Sequence, residues 1–356
     1  MNASVSRVRR NASFGSSLGL GEKFFTTPEE RRVAANVERG LDVVEARLIK
    51  DMAFADDLAD VPSRYLLEAG GKRVRPTLTL LTAQLGAGVN DNVVTAASAL
   101  EITHLASLYH DDVMDEANMR RGVPSAQSVW GNSVAILTGD LLFARASRLV
   151  ATLGDKAIQM QVDTFERLCL GQLHETIGPR TGEDPIVHYL QVLADKTGSL
   201  IAAAARIGLV FSNAPTEYER PVEEFGEKIG VAFQLIDDVI DLSGQLDTTG
   251  KTPGTDLRAG VSTLPVLYLR ELAETDADAA RLLARVRPEV ASTRDSDDPD
   301  LIAAIAELRE HPVTGRTLEE AHRWADEAVA ALAPIPAGPV KKALTRFAES
   351  IIERSS

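Results

Sequence analysis

Apolar residues recur at three- and four-residue spacings along most of this 356-residue chain, the period of helices that bury one face. From about Pro28 the pattern predicts one helix after another. Val33 to Leu48 carries it, Gly70-Gly71 interrupts it, and a new helix follows Pro76 through Leu78, Leu80 and Leu81. Val93 to His110 is strongly apolar, after which Gly122-Val123-Pro124 turns the chain. Ser133 to Leu153 and Ile158 to Ile177 read as further helices, and Pro179 to Pro185 as a loop. Ile186 to Lys196, Leu200 to Ser212 and Val222 to Leu242 continue the series. A Gly/Thr/Asp-rich loop spans Gly244 to Gly260, helix restarts over Thr263 to Leu272, and Ser292 to Pro299 is an acidic surface loop before a helical end. No Val/Ile/Thr alternation is long enough for a sheet. The expectation is one all-α domain over residues 26–356, preceded by a flexible tail at 1–25 rich in Ser, Asn, Arg and Gly.

Composition sharpens this picture only slightly. Aromatic residues are 5% of the chain, as long alanine-rich helices allow. A formal charge of -14 argues against nucleic acid as a partner. Yet Lys72, Arg73 and Arg75, then Arg120 and Arg121, form basic islands that a merely solvated acidic surface would not need. The single cysteine, Cys169, excludes an internal disulfide framework, and its helical neighbours suggest a buried structural thiol. The longest apolar run, Leu200 to Phe211, is too short for a membrane span and carries Arg206. The tail lacks the apolar core of a secretory signal, so a cytoplasmic location is expected.

Two acidic clusters carry the candidate chemistry: Asp111-Asp112-Val113-Met114-Asp115 and Asp237-Asp238-Val239-Ile240-Asp241. Each ends a long apolar stretch. In a helix the first and last aspartates of DDxxD share a face, so each cluster is a strip of carboxylates looking one way. Such a strip calls for a cation, and hard divalent ions with oxygen ligands suit it best. Two strips facing each other could hold several Mg²⁺ ions around a diphosphate.

At this point the chain resembles the trans-type isoprenyl diphosphate synthases. The match runs through Gly70 to Pro76, His104 to Asp115, Arg120-Arg121-Gly122, Lys196-Thr197, Gln234 to Asp241 and Gly250-Lys251 to Asp256, in family order. The resemblance implies a single large helical bundle of the isoprenoid synthase type around a central cavity. It implies Mg²⁺-dependent condensation of isopentenyl diphosphate with the carbocation left when an allylic diphosphate ionises, which lengthens the chain by one isoprene unit. Asp111, Asp115 and Asp237 would hold the metal, about three ions in all, with Asp112, Asp238 and Asp241 as second ligands or supports. Arg120, Lys196 and Lys251 match positions that contact the allylic diphosphate. Lys72, Arg75, His104 and Arg121 match those that bind isopentenyl diphosphate. Thr197, Gln234 and the Lys196 carbonyl resemble groups whose dipoles face the carbocation, and His110 would support the carboxylates. One departure stands out: where the family commonly has a lysine, this chain has Val261, which puts allylic diphosphate affinity in doubt and leaves the reaction class untouched. Family members are commonly homodimers, and the apolar helix from Val93 is a candidate contact.

Product length is set, by family analogy, where the tail runs beside the helix carrying Asp111. Ala99, Thr103, Ala106 and Ser107 line that face by helical period, and all are small. An open tunnel and a product of about thirty to fifty carbons follow, suited to a quinone side chain and to release at a membrane surface. The competing explanation is that small residues let helices pack closely, with a farnesyl or geranylgeranyl product. A terpene cyclase would not need Lys72 and Arg75. A regulatory subunit of a prenyltransferase heteromer would tend to have eroded aspartate clusters, and an acidic scaffold leaves the basic islands unexplained.

Overall fold

The computed structural model describes residues 27–243, 253–295 and 297–353, and these are helical almost throughout. The expected tail at 1–25 and Lys251 lie outside the described residues. The chain divides into two compact units. One takes the described residues up to Thr164 with Leu200–Glu223 and Ala333–Phe347, and the other takes Phe165–Ser199, Glu224–Leu332 and the chain from Ala348.

In the first unit, α1 (Pro28–Asp51) starts at a capping box: Thr27 Oγ1 accepts from the Glu30 N–H at 3.2 Å and Glu30 Oε2 from the Thr27 N–H at 3.1 Å. A separate helix that the sequence pattern did not isolate, α2 (Asp57–Glu68), is capped by Asp56. Next, α3 (Val74–Thr82) begins two residues before Pro76, because a proline in the first turn lacks an N–H that would have no partner anyway. The centre is α4 (Asp91–Met114), capped by Asn90. It is apolar on every side over most of its length and is buried accordingly, from Val93 to Ser107. That burial corrects one expectation: the helix from Val93 is interior, not a surface for a second copy.

A two-residue hairpin follows, β1 (Met119–Arg120) against β2 (Val123–Pro124), then α5 (Ala126–Trp130) and α6 (Asn132–Ala151), which lies along α4. The first half of α7 (Asp155–Ile177) adds Met160 to a core cluster with Ala96 of α4 and Ile207 of α9 (Ser199–Phe211). Cys169, expected inside, is exposed on α7, because the helix turns its Leu168 inward and the next residues outward.

The second unit holds α8 (Pro185–Leu193), capped by Asp184, and then a π-turn, Ala194–Gly198, where the sequence pattern suggested a break. It also holds most of α10 (Glu219–Leu242) and the short α11 (Thr255–Arg258), inside the stretch read as loop. From α12 (Leu264–Leu272) the chain runs through α13 (Ala277–Val286), α14 (Pro288–Ala291), α15 (Pro299–Glu310) and α16 (Pro312–Ala331) to α17 (Pro339–Ile352). Among these, α12 packs on α8, α13 and α16.

Candidate active site

The first acidic strip sits at the C-terminal end of α4. Asp111 and Asp115 share one face, while Asp112, about a quarter-turn away, points inward and is fully buried. Its Oδ1 accepts from Arg120 Nε and Nη2, both at 2.6 Å. Its Oδ2 is buried with no hydrogen-bond partner among the described residues. Burial pushes the Asp112 carboxyl up from its ordinary range, against the pull of Arg120.

Arg120 reaches Asp112 because the hairpin is tight. Arg121 at φ +53° and Gly122 at φ +77° give the two left-handed residues of a type I′ turn, and Tyr65 ties the hairpin to α2 by donating to the Pro124 carbonyl at 2.8 Å. Arg121 then turns the other way, donating to the carbonyls of Leu66 (2.8 Å) and Gly70. Burial lowers Arg121 to about 10, partly opposed by Glu101.

Around His104 the unit gathers guanidinium groups. Burial holds the imidazole well below its usual 6.5, reinforced by Arg75, then Arg121, Arg120 and Arg73. Arg75 is itself lowered by burial and favoured by Glu101 and Asp111, so it lies within electrostatic reach of both His104 and the first strip. Its Nε is buried with no hydrogen-bond partner among the described residues. Lys72 lies exposed on the same loop. His110 is not drawn to the strip: its Nε2 lies 3.0 Å from the Ile136 carbonyl and 3.5 Å from Asp140 Oδ1 on α6.

The second strip repeats the arrangement on α10. Asp237 is half-buried, whereas Asp238 turns in and accepts from the Tyr189 hydroxyl at 2.8 Å and the Leu264 N–H at 3.4 Å. Burial raises both Asp238 and Tyr189 well above their usual values. Asp241 Oδ2 accepts from the Asp256 N–H at 3.1 Å, which ties α10 to the start of α11. Gln234 lies one turn before Asp237 and shares its side of the helix.

Lys196 and Thr197 sit in the π-turn, a distortion often found at functional positions. Neighbouring backbones pinch it closely. A Cβ on Gly171 of α7 would lie 2.7 Å from the Lys196 nitrogen, and one on Gly230 of α10 would lie 2.7 Å from the Gly198 Cα. Lys196 Nζ meets Glu175 Oε2 at 2.5 Å.

The oxygen-rich donor set suits a hard divalent ion. Among the described residues no three acidic, His or Cys side chains close on one point.

The polyprenyl synthetase family model matches residues 56–298. The chain belongs to the polyprenyl synthetase family. A nonaprenyl diphosphate synthase of Mycobacterium tuberculosis is 42% identical over 348 residues, covering 98% of this chain and 99% of that protein. A polyprenyl synthase of Caulobacter crescentus CB15, solved with calcium and isoprenyl diphosphate, superposes with a TM-score of 0.82 at 30% identity, covering 92% of this chain and 98% of that one. A geranylgeranyl pyrophosphate synthase of Corynebacterium glutamicum, also solved with calcium and isoprenyl diphosphate, gives 0.78 at 38%, covering 93% and 99%. This polyprenyl synthetase family member is therefore a prenyltransferase, a polyprenyl diphosphate synthase, with the all-helical isoprenoid synthase fold. No described helix is long and apolar enough to cross a membrane.

Motif reasoning missed Glu45, Glu101, Tyr109, Glu175 and Tyr189, and gave Arg73 no role beyond its basic island. Only Glu101 left a trace in the sequence: it is the one acidic residue in the apolar run from Val93 to His110. Tyr189 bears no spacing relation to Asp238, and tertiary folding alone joins them.

Proposed function

We propose that the enzyme adds isopentenyl diphosphate to an allylic diphosphate with Mg²⁺ and builds a long all-trans chain of about thirty to fifty carbons. The observation that carries the site reading is Arg75. Its buried, unpartnered guanidinium nitrogen lies within electrostatic reach of both the neutral His104 and Asp111. Such a donor is costly in the protein interior unless an anion takes it, and a diphosphate does.

In this reading Lys72, Arg75, His104 and Arg121 bind isopentenyl diphosphate. His104, held neutral, donates one hydrogen bond without adding charge. Asp111, Asp115 and Asp237 would hold Mg²⁺, about three ions in all, which would supply charge stabilisation to a pyrophosphate leaving group. Asp112 and Asp238, turned inward, act as positioning residues: Asp112 orients Arg120 toward the allylic diphosphate, and Asp238 fixes the end of α10 through Tyr189. Asp241 fastens the segment that follows Lys251, a further candidate for that diphosphate. Lys196 shares the same role, and Thr197, Gln234 and the Lys196 carbonyl present dipoles to the carbocation.

Support for a long product comes from the nonaprenyl relative and from the small residues before Asp111. A geranylgeranyl product is the second reading. The Corynebacterium relative favours it, as does the close packing of Gly139 on α4, where a Cβ would stand 3.2 Å from the Ala106 carbonyl. Mass spectrometry of the product made from isopentenyl diphosphate and farnesyl diphosphate with Mg²⁺ decides between them. We expect long-chain species; accumulation of the geranylgeranyl product alone would overturn that. Replacing Ala106 with Phe should shorten the product, and an unchanged distribution would place the growing chain elsewhere.

We also propose a homodimer through the outward face of α6, where Ile136, Leu137 and Leu141 stand exposed.

A further inference from the structure

We propose that Glu101 is a positioning residue for isopentenyl diphosphate: it holds Arg73 across the Gly70-Gly71 loop and so sets the places of Arg75 and Arg121. This rests on the reading of Lys72, Arg75, His104 and Arg121 as the isopentenyl diphosphate site.

Glu101 is 2% exposed and lies one turn before His104 on α4. Arg73, also buried, brings Nη1 to 3.5 Å from Glu101 Oε1 and donates through Nε to Glu45 of α1. The same guanidinium donates to the carbonyls of Leu67 and Gly70, both at 3.4 Å. Arg121 donates to the Gly70 carbonyl as well, so two guanidiniums converge on one oxygen. The loop passes directly beneath them. A Cβ on Gly71 would come 2.5 Å from Arg73 Nη1 and 3.1 Å from Arg121 Cζ, so any side chain there would displace the two guanidiniums.

Two further features point the same way. Arg73 has left-handed backbone, φ +52° and ψ +37°, which costs a residue with a Cβ about 1–2 kcal/mol. Its side-chain bonds hold it there, and this turn aims the first residues of α3, Arg75 among them. Second, a buried carboxylate beside a diphosphate site would repel the ligand, so it needs a reason. Arg73, Arg75 and Arg121 crowd together out of water, and without a counter-charge they would drive one another apart. Burial acts to lower all three, and Glu101 is the first group that opposes it in each: Arg75 and Arg121 end lowered, whereas Arg73, with Glu45 as a second carboxylate partner, ends raised. Glu45 and Glu101 together offset only part of the charge of Arg73, Arg75 and Arg121, so the cluster is organised without losing its net positive charge for the ligand.

Glu101→Gln keeps the shape and removes the charge. We expect KM for isopentenyl diphosphate to rise about ten-fold or more, with kcat at saturation and KM for the allylic diphosphate within about two-fold. Calorimetric binding of isopentenyl diphosphate to the whole enzyme should weaken by the same factor. Glu45→Gln, at the more exposed end of the pair, should give a smaller change of the same sign. Arg75→Met serves as the control. If it raises that KM while Glu101→Gln does not, the positioning role falls and the site stands. If neither moves it, the site reading itself falls. A uniform loss in kcat and both KM values would make Glu101 merely structural and would also overturn the inference. Should Glu101→Gln fail to fold, Glu45→Gln and Arg73→Lys carry the test, and an unchanged KM in both overturns it.

Discussion

At the scale of single residues, the two DDxxD clusters divide their labour by angle. Residues four apart share a face and adjacent ones do not. The middle aspartates therefore turn inward to Arg120 and Tyr189, on a different face from the outer ones. His104 makes a prediction of its own. Its folded value lies well below the unfolded 6.5, so the unfolded chain takes up a proton first as pH falls. Any penalty from this histidine is absent above about pH 6.5 and grows as pH drops below it. His104→Gln should lose less thermal stability than the parent between about pH 7.5 and pH 5, measured by unfolding at both values. Parallel losses would show that His104 titrates freely in the fold. The two aspartate strips were legible in the sequence because their spacing declares them, and the candidate diphosphate residues because they match a family's motifs in order. Glu101 and Tyr189 were not, since each takes its meaning from a partner on another element.

Elements were read well where a long apolar run marks them and poorly where they are short or mostly polar. The helix carrying the first strip was found, and burial on every side explains its uniformly apolar sequence. The separate α2 was missed, as was the π-turn, which keeps the chain helical across 197–199, the gap left between two expected helices. Tyr109 shows how closely these elements interlock. Its hydroxyl donates to the Pro62 carbonyl at 2.5 Å and accepts from the Leu66 N–H at 3.2 Å, the two groups an unbroken α2 would join to each other. Tyr109→Phe should therefore cost only about 1 kcal/mol, because the freed pair can bond directly. Tyr109→Ala should cost about 3–5 kcal/mol, as a buried ring is lost. Denaturant unfolding of both variants checks the contrast. Equal losses would mean that the hydroxyl matters more than the ring.

For the whole molecule, the sequence correctly gave an all-helical prenyltransferase, but it put the candidate dimer contact on a helix that is buried within its own unit. A long apolar run can mean an interior element as readily as an interface, and only the fold tells them apart. The exposed leucines of α6 suit a second copy better. Leu137→Glu combined with Leu141→Glu should convert a dimer to a monomer by size-exclusion chromatography with light scattering. A dimer that survives the double change would place its interface on another surface.

The hairpin after the first strip carries one more implication. Arg120 is paired across the ladder and Arg121 occupies the bend, so their opposite directions come from the length of that bend. One residue more or less would shift the alternation, and both arginines would leave their carboxylate and carbonyl acceptors together. Surface loops usually tolerate insertions, but this stretch from Met119 to Pro124 should accept substitutions and refuse any change in length.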